Sequence, residues 1–276
     1  MSGPRTLPRR LLGEALGTGL LVTVVVGSGI AAQTLSPADV GLQLLENSLT
    51  TALALTVLIL VLAPVSGAHF NPVVTLVDWL LARSTGGGPS SVEVGAYTLA
   101  QVSGGVVGAL LANAMFDLPV WQISGHHRVT PGVLLGEVVA TAGLICVIFA
   151  LARSGRGAWS APAVGAYIGA AYWFTSSTSF ANPAVTIGRI FSDTFAGIAP
   201  SSVAPFLAAQ LVGAVLGALI IRVLYPGVQR PDVDQAPPGG SGEQPIALPQ
   251  GERAEGEQAD SITLDADRSE PAVVRE

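Results

Sequence analysis

Ser66-Gly67-Ala68-His69-Phe70-Asn71-Pro72-Val73-Val74-Thr75 returns later in the chain, altered, as Thr178-Ser179-Phe180-Ala181-Asn182-Pro183-Ala184-Val185-Thr186. In both copies Asn-Pro starts an apolar stretch. Asn is a good helix cap, and Pro at the first helical position has no amide to leave unpaired. The stretches that follow, 72–81 and 183–191, amount to roughly 14 to 15 Å of helix each. A bilayer core about 30 Å thick needs about 20 apolar residues in a helix, so neither crosses alone. Two such half-helices meeting end to end make one crossing.

Around them lie segments that are long enough: about 11–33, 43–64, 93–116, 133–152, 160–179 and 202–225. Half of the 276 residues are hydrophobic and only 12% are charged, against about a quarter in soluble domains. Mean hydropathy is +0.57. The apolar run 11–32 is too long for the core of a signal peptide and reads as a retained span. The net charge of -6 belongs to the end of the chain. From Gln229 onward stand 11 Asp or Glu against 4 Arg, whereas the preceding residues carry 8 acids and 9 Arg. That Pro-, Gly- and Glu-rich end reads as a solvated tail without a core. There is no Lys. Arg5, Arg9, Arg10, Arg83, Arg153, Arg156, Arg222 and Arg230 all fall on one side if both termini are cytoplasmic, with Arg128 and Arg189 on the other. This distribution obeys the positive-inside rule.

The halves echo each other beyond Asn-Pro. Leu11-Leu12-Gly13-Glu14 recurs as Leu134-Leu135-Gly136-Glu137, and Ala100-Gln101 with Gly104, Gly108 and Ala109 recurs as Ala209-Gln210 with Gly213, Gly217 and Ala218. Three spans per half force the second copy to enter from the opposite face. The predicted fold is therefore an all-α membrane protein: six transmembrane helices and two re-entrant half-helices in an inverted repeat. It divides into a cytoplasmic N-terminus (1–10), a first repeat (11–116), an extracellular connection (117–132), a second repeat (133–226) and a disordered acidic cytoplasmic tail (227–276).

Inversion aims both half-helix N-termini at the midplane, each with free amides and about half a positive charge. Asn71 and Asn182 would cap these ends and also offer a carboxamide to whatever passes. Glu14 and Glu137, inside spans, need compensation of about 2.5 to 3.5 kcal/mol; re-entrant loops supply unpaired amides that a carboxylate accepts. A supporting role is therefore expected for both, proton relay being the alternative. Gln101 and Gln210 read as further hydrogen-bonding supports, and the flanking glycines as close-packing positions. His69 reads as a loop-fixing hydrogen-bond partner, with pH gating as the alternative. Cys146 reads as a packing residue, and Asp78 has no assigned role.

At this point the sequence resembles a known family. Residues 66–75 are similar to the first signature loop of aquaporins and aquaglyceroporins, with Val73 for the usual Ala, and Asn182-Pro183-Ala184 is similar to the second. The resemblance covers about 9–226. It implies a homotetramer with one pore per subunit, passive conduction of water and small neutral solutes, and a midplane formed by Asn71, Pro72, Val73, Asn182, Pro183 and Ala184. It also exposes a departure, because Val185 stands where the family usually has Arg. Family spacing places the other filter positions at Thr51, Ala170 and Ser179, an uncharged filter without aromatics. That composition suits a polyol such as glycerol, or a metalloid hydroxide such as arsenous acid. The second loop is also similar to that of a bacterial subgroup associated with arsenic resistance. Arg189, one turn beyond Val185 on the same face, is expected at the outer mouth, held by Asp193, with an interface-facing Arg as the alternative.

Other classes fare worse. No Cys-His, Ser-His-Asp or phosphate-loop motif points to an enzyme, and no basic patch suits nucleic acid. His126 and His127 are too few ligands for a metal, so no metal and no cofactor is expected. The runner-up readings are an inverted-repeat secondary transporter, a water-selective pore with an atypical filter, and a junctional protein with a vestigial pore. The expected setting is the lipid bilayer of the plasma membrane.

Overall fold

The computed structural model describes residues 6–83 and 88–226. Its helices are α1 (Leu7–Leu35), α2 (Val40–Ser66), α3 (Pro72–Ala82), α4 (Ser91–Met115), α5 (Pro131–Arg153), α6 (Ser160–Phe174), α7 (Pro183–Gly188) and α8 (Pro200–Leu224), with 3-10 turns at Gly157–Trp159 and Arg189–Phe191. Among the described residues there is no strand. The N-terminal residues 1–5 and the expected tail over 227–276 lie outside the described residues.

Local chemistry sets the starts. Asp39 and Thr130 cap α2 and α5 through Leu42 N and Val133 N, and Ser90 with Glu93 closes a reciprocal capping box on α4. Among the described residues five helices (α1, α2, α4, α5 and α8) are long and apolar enough to cross a membrane. Their outward leucines, Leu53, Leu60, Leu99, Leu135 and Leu219 among them, are exposed, as a lipid-facing surface requires.

Two segments are shorter than the sequence pattern suggests. The span expected over 160–179 is helical only to Phe174. There the hydroxyl-rich run 175–179 competes with the helix for its own backbone: Thr175 Oγ1 donates to Ala171 O, and Ser177 Oγ accepts from Ser179 N. The second half-helix, expected over 183–191, is α-helical to Gly188 and tightens into a 3-10 turn over its last three residues.

The packing repeats with the sequence. α1 packs most extensively on α4 and α5 on α8, α1 also packs on α2 as α5 does on α6, and each half-helix crosses to the other half, α3 onto α8 and α7 onto α4. The two main crossings share one device. A Cβ at Gly104 would sit 2.1 Å from Ala15 O and one at Gly108 2.1 Å from Gly19 O; at Gly213 and Gly217 it would meet Val138 O at 2.5 Å and Ala142 O at 2.7 Å. Only glycine lets these backbones touch.

Candidate functional site

The two half-helices meet tip to tip. Asn71 Oδ1 accepts from Val73 N at 3.1 Å, and Asn182 Oδ1 accepts from Ala184 N at 2.9 Å and Val185 N at 3.3 Å, so each carbonyl end caps its own helix. The amide ends cross over. Asn71 Nδ2 donates to Ala181 O at 2.8 Å, and Asn182 Nδ2 donates to Phe70 O at 2.7 Å. The carboxamides are thus tied on one proton each, rather than left wholly free by capping. The loops reach this register through left-handed backbone at equivalent places: Ala68 and Phe70 in the first copy, Ser179 and Ala181 in the second, with φ between 47 and 52°. Such φ is uncommon outside glycine and persists only where the surroundings fix it.

The fixing groups are two carboxylates. Glu14 accepts from His69 N (3.0 Å), Phe70 N (2.7 Å), Ser66 Oγ (2.6 Å) and Gln101 Nε2 (2.7 Å). Glu137 accepts from Phe180 N and Ala181 N, both at 2.9 Å, and from Gln210 Nε2 at 2.6 Å. Each Gln also donates to the threonine one turn into the half-helix, Thr75 or Thr186. All four residues are fully buried.

A cavity of about 620 Å³ runs past both asparagines, from Ala152, Gly157 and Ser160 at one end to Arg189 at the other. Its wall is apolar (Leu21, Val25, Leu55, Val74, Ile168) with polar points at Thr51, Asn71, Ser179 and Asn182. Four residues assigned to the midplane from sequence stand at this junction but do not line the cavity. Pro72, Val73 and Pro183 line a separate groove of about 260 Å³ beside α4 and α8, and Ala184, fully buried, would contact any Cβ at Gly105 through its carbonyl. Within a half-helix only one face turns to the cavity.

Three of the four assigned filter positions, Thr51, Ser179 and Val185, line the cavity; Ala170 is exposed on the outside of α6. Ile168 and Tyr172, one turn apart, take the inward face, and Tyr172 OH lies 3.3 Å from Thr51 Oγ1. Ala170, two residues from each, is turned away from the cavity. The lining at the expected filter is therefore not free of aromatics, because Tyr172 stands beside Thr51. Ser179 Oγ is buried with no protein partner.

At one mouth, His69 Nδ1 lies 3.1 Å from Thr75 Oγ1 and His69 Nε2 3.6 Å from Asp78 Oδ2. Tyr97, which no motif singles out, ties this end together: it donates to Ser66 O at 2.8 Å and accepts from Arg10 Nε at 2.7 Å, while Arg10 pairs with Glu93. At the other mouth Arg189 is buried, donates from Nε to Ala196 O, and stacks 3.5 Å from the Phe180 ring centre. Asp193 does not hold it; that carboxylate accepts from Gly125 N and lies 3.9 Å from His126. Arg128 approaches the same ring from the connecting loop, at 5.4 Å. Burial pushes its pKa below the ordinary arginine value.

A family model described as Major intrinsic protein matches residues 4–181 and 160–244. The chain is 48% identical over 235 residues to the aquaglyceroporin AqpS of Rhizobium meliloti, covering 84% of this chain and 96% of that protein. It is 29% identical to the propanediol uptake facilitator PduF of Citrobacter freundii, over 79% of this chain and 93% of the relative. Among solved structures, the aquaglyceroporin from Plasmodium falciparum superposes with a TM-score of 0.60 at 23% identity, covering 78% of this chain and 96% of that one. At that identity the likeness speaks for the fold.

Proposed function

The chain belongs to the major intrinsic protein family, and we propose that it is a passive, bidirectional channel for water and small neutral solutes, polyols of glycerol size foremost. One observation carries this reading: two crossed, capped asparagines stand in the wall of a single apolar cavity. A polyol has hydroxyls on one side and carbon on the other. Thr51, Ser179, Asn71 and Asn182 offer hydrogen bonds in sequence, and Leu55, Val185 and Ile168 face the carbons. The unpartnered Ser179 hydroxyl is free to pair with a passing OH. Val185 in place of a filter Arg leaves the narrow zone uncharged, which argues against a water-only pore; arsenous acid, neutral and trihydroxylic, presents the same chemistry as glycerol.

Cations and hopping protons meet the positive ends of α3 and α7 at the midplane, the exclusion mechanism for which aquaporins are the standard example. Arg189 serves at the outer mouth in the place of the missing filter Arg. Glu14, Glu137, Gln101 and Gln210 support the loops, and His69 sits at the inner end. The working unit is a homotetramer in the plasma membrane with both termini cytoplasmic, a placement supported by Arg9, Arg10, Arg83, Arg153, Arg156 and Arg222 gathering on one side. The carrier alternative needs a midplane carboxylate free to trade protons. Glu14 is engaged by four donors and Glu137 by three, which argues for a fixed structural charge.

Stopped-flow light scattering on proteoliposomes tests the proposal. Glycerol should enter faster than into protein-free vesicles, without saturation and without response to an imposed proton gradient. Saturable uptake that is driven by such a gradient and lost in Glu14→Gln would replace the channel with a carrier.

A further inference from the structure

The outer mouth holds more positive charge than a neutral-solute filter requires. A second cavity of about 350 Å³ lies outside the filter, lined by Gln33, Asn47, His126, His127, Arg128 and Arg189 together with apolar Val40, Leu44 and Phe195. Arg189 lines both this cavity and the pore, so the two adjoin at its guanidinium. Its fractional exposure is 3%. Among the described residues neither Arg128 nor Arg189 is ion-paired to a carboxylate. A buried guanidinium (Arg189) beside a half-buried one (Arg128) over one ring is costly unless an anion joins them.

The anchoring leaves the right atoms over. Arg189 uses Nε on Ala196 O, and Arg128 uses Nε on Gly197 O at 2.6 Å and Nη2 on Phe195 O at 2.7 Å. One turn, 195–197, thus fixes both guanidinium planes. Both Nη groups of Arg189 and Nη1 of Arg128 keep donors unengaged by the described protein. The unengaged Nη donors of two guanidiniums tied to one turn and resting on one ring match the two-oxygen edge of a carboxylate, and the apolar part of the lining suits a short hydrocarbon body better than a fully hydrated dianion.

We propose that Arg128 and Arg189 form a binding site in the outer vestibule for a small monocarboxylate anion. The inference deepens the channel reading, and rests on it for the placement of Arg189 at the outer mouth. It makes Arg128, a loop residue far from the Asn-Pro motifs, a determinant of which solutes gather at the entrance.

The test is calorimetric titration of the purified full-length protein with lactate, and with lactamide as the neutral analogue of the same shape, at neutral pH. Lactate should bind saturably and lactamide should not. Arg128→Gln should weaken lactate binding roughly tenfold or more, the effect of removing one charge-assisted contact, and Arg128→Lys should retain part of it. If the Gln variant fails to fold, the lactate–lactamide contrast in the unaltered protein still decides. Equal binding of the two, unchanged affinity in Arg128→Gln, or preference for inorganic phosphate over lactate would overturn the assignment. Glycerol flux measured on the same preparations separates the outcomes: flux without lactate binding removes this site and leaves the channel standing, whereas loss of flux in the unaltered protein removes the channel itself.

Discussion

A carboxylate inside a membrane span costs about 2.5–3.5 kcal/mol on insertion scales, and Glu14 and Glu137 offset that cost by serving amides that lipid cannot. Each also holds left-handed residues in place, so the charge and the loop strain are solved together. Glu137→Gln replaces an acceptor oxygen with a donor facing Ala181 N and Gln210 Nε2. We expect a loss of about 2–4 kcal/mol, seen as a lower unfolding midpoint in detergent together with lost glycerol flux; an unchanged midpoint would remove the loop-clamp role. Tyr172 is expected to act on selectivity instead. Its ring faces Thr51 across the cavity, so Tyr172→Ala should widen the filter. The ratio of xylitol to glycerol flux should rise by roughly tenfold, the low end of what one methylene's worth of fit decides in a pocket, while Ala170→Leu on the outer face should leave the ratio alone.

Among elements, the α1–α4 and α5–α8 crossings set how far the half-helices can penetrate. Gly104→Ala drives a Cβ to 2.1 Å from the Ala15 carbonyl, a backbone atom that has no rotamer to yield. The expected cost is about 3 kcal/mol, the upper part of the overpacking range, with impaired assembly on size-exclusion chromatography. Gly95→Ala in the same helix meets nothing within 4 Å and should be neutral or stabilise by about 0.5–1 kcal/mol through helix propensity; equal effects of the two would show that close approach is not what Gly104 provides. Much of this element level was legible beforehand. Periodic small residues, paired Asn-Pro motifs and span-length apolar runs carry their physics in the sequence itself. The end of α6 was not so legible, because an apolar count runs on through hydroxyls that bond backwards only once the chain has turned. Ala170 came instead from family spacing, which does not show that α6 turns Ile168 and Tyr172 to the cavity. Likewise, Asn-Pro-Ala reads as a unit in sequence, but a helix presents one face, and Asn alone reaches the cavity. Arg128 and Tyr97 could not be read at all, since their partners lie 69 and 31 residues away with no motif to connect them.

For the whole molecule, the pseudo-symmetric halves place two helix N-termini, each worth about half a positive charge, against one another in a low-dielectric interior. On the proposed reading that sum, rather than any single side chain, would set the barrier to cations at the midplane, and it can be cancelled without dismantling the fold. Asp caps helices as well as Asn does, so Asn182→Asp keeps the bonds to Ala184 N and Val185 N. It gives up the donor to Phe70 O, and this slackens the crossing on one side only. Surrounded by the amides of two helix ends, the new carboxylate stays ionised and cancels the converging half-charges. A unit charge at about 4 Å changes the energy of a passing ion by about 4 kcal/mol at an effective dielectric of 20. Proton conductance, followed with a pH-sensitive dye in vesicles held at a fixed potential, should therefore rise by roughly a hundredfold or more, since each 1.4 kcal/mol is a factor of ten. Asn71→Asp should do the same from the other half, because the field is shared. A leak from one substitution and none from the other would mean that the two ends do not act as one electrostatic unit. A pore that stays tight to protons with either Asp would place the barrier at the outer arginines instead.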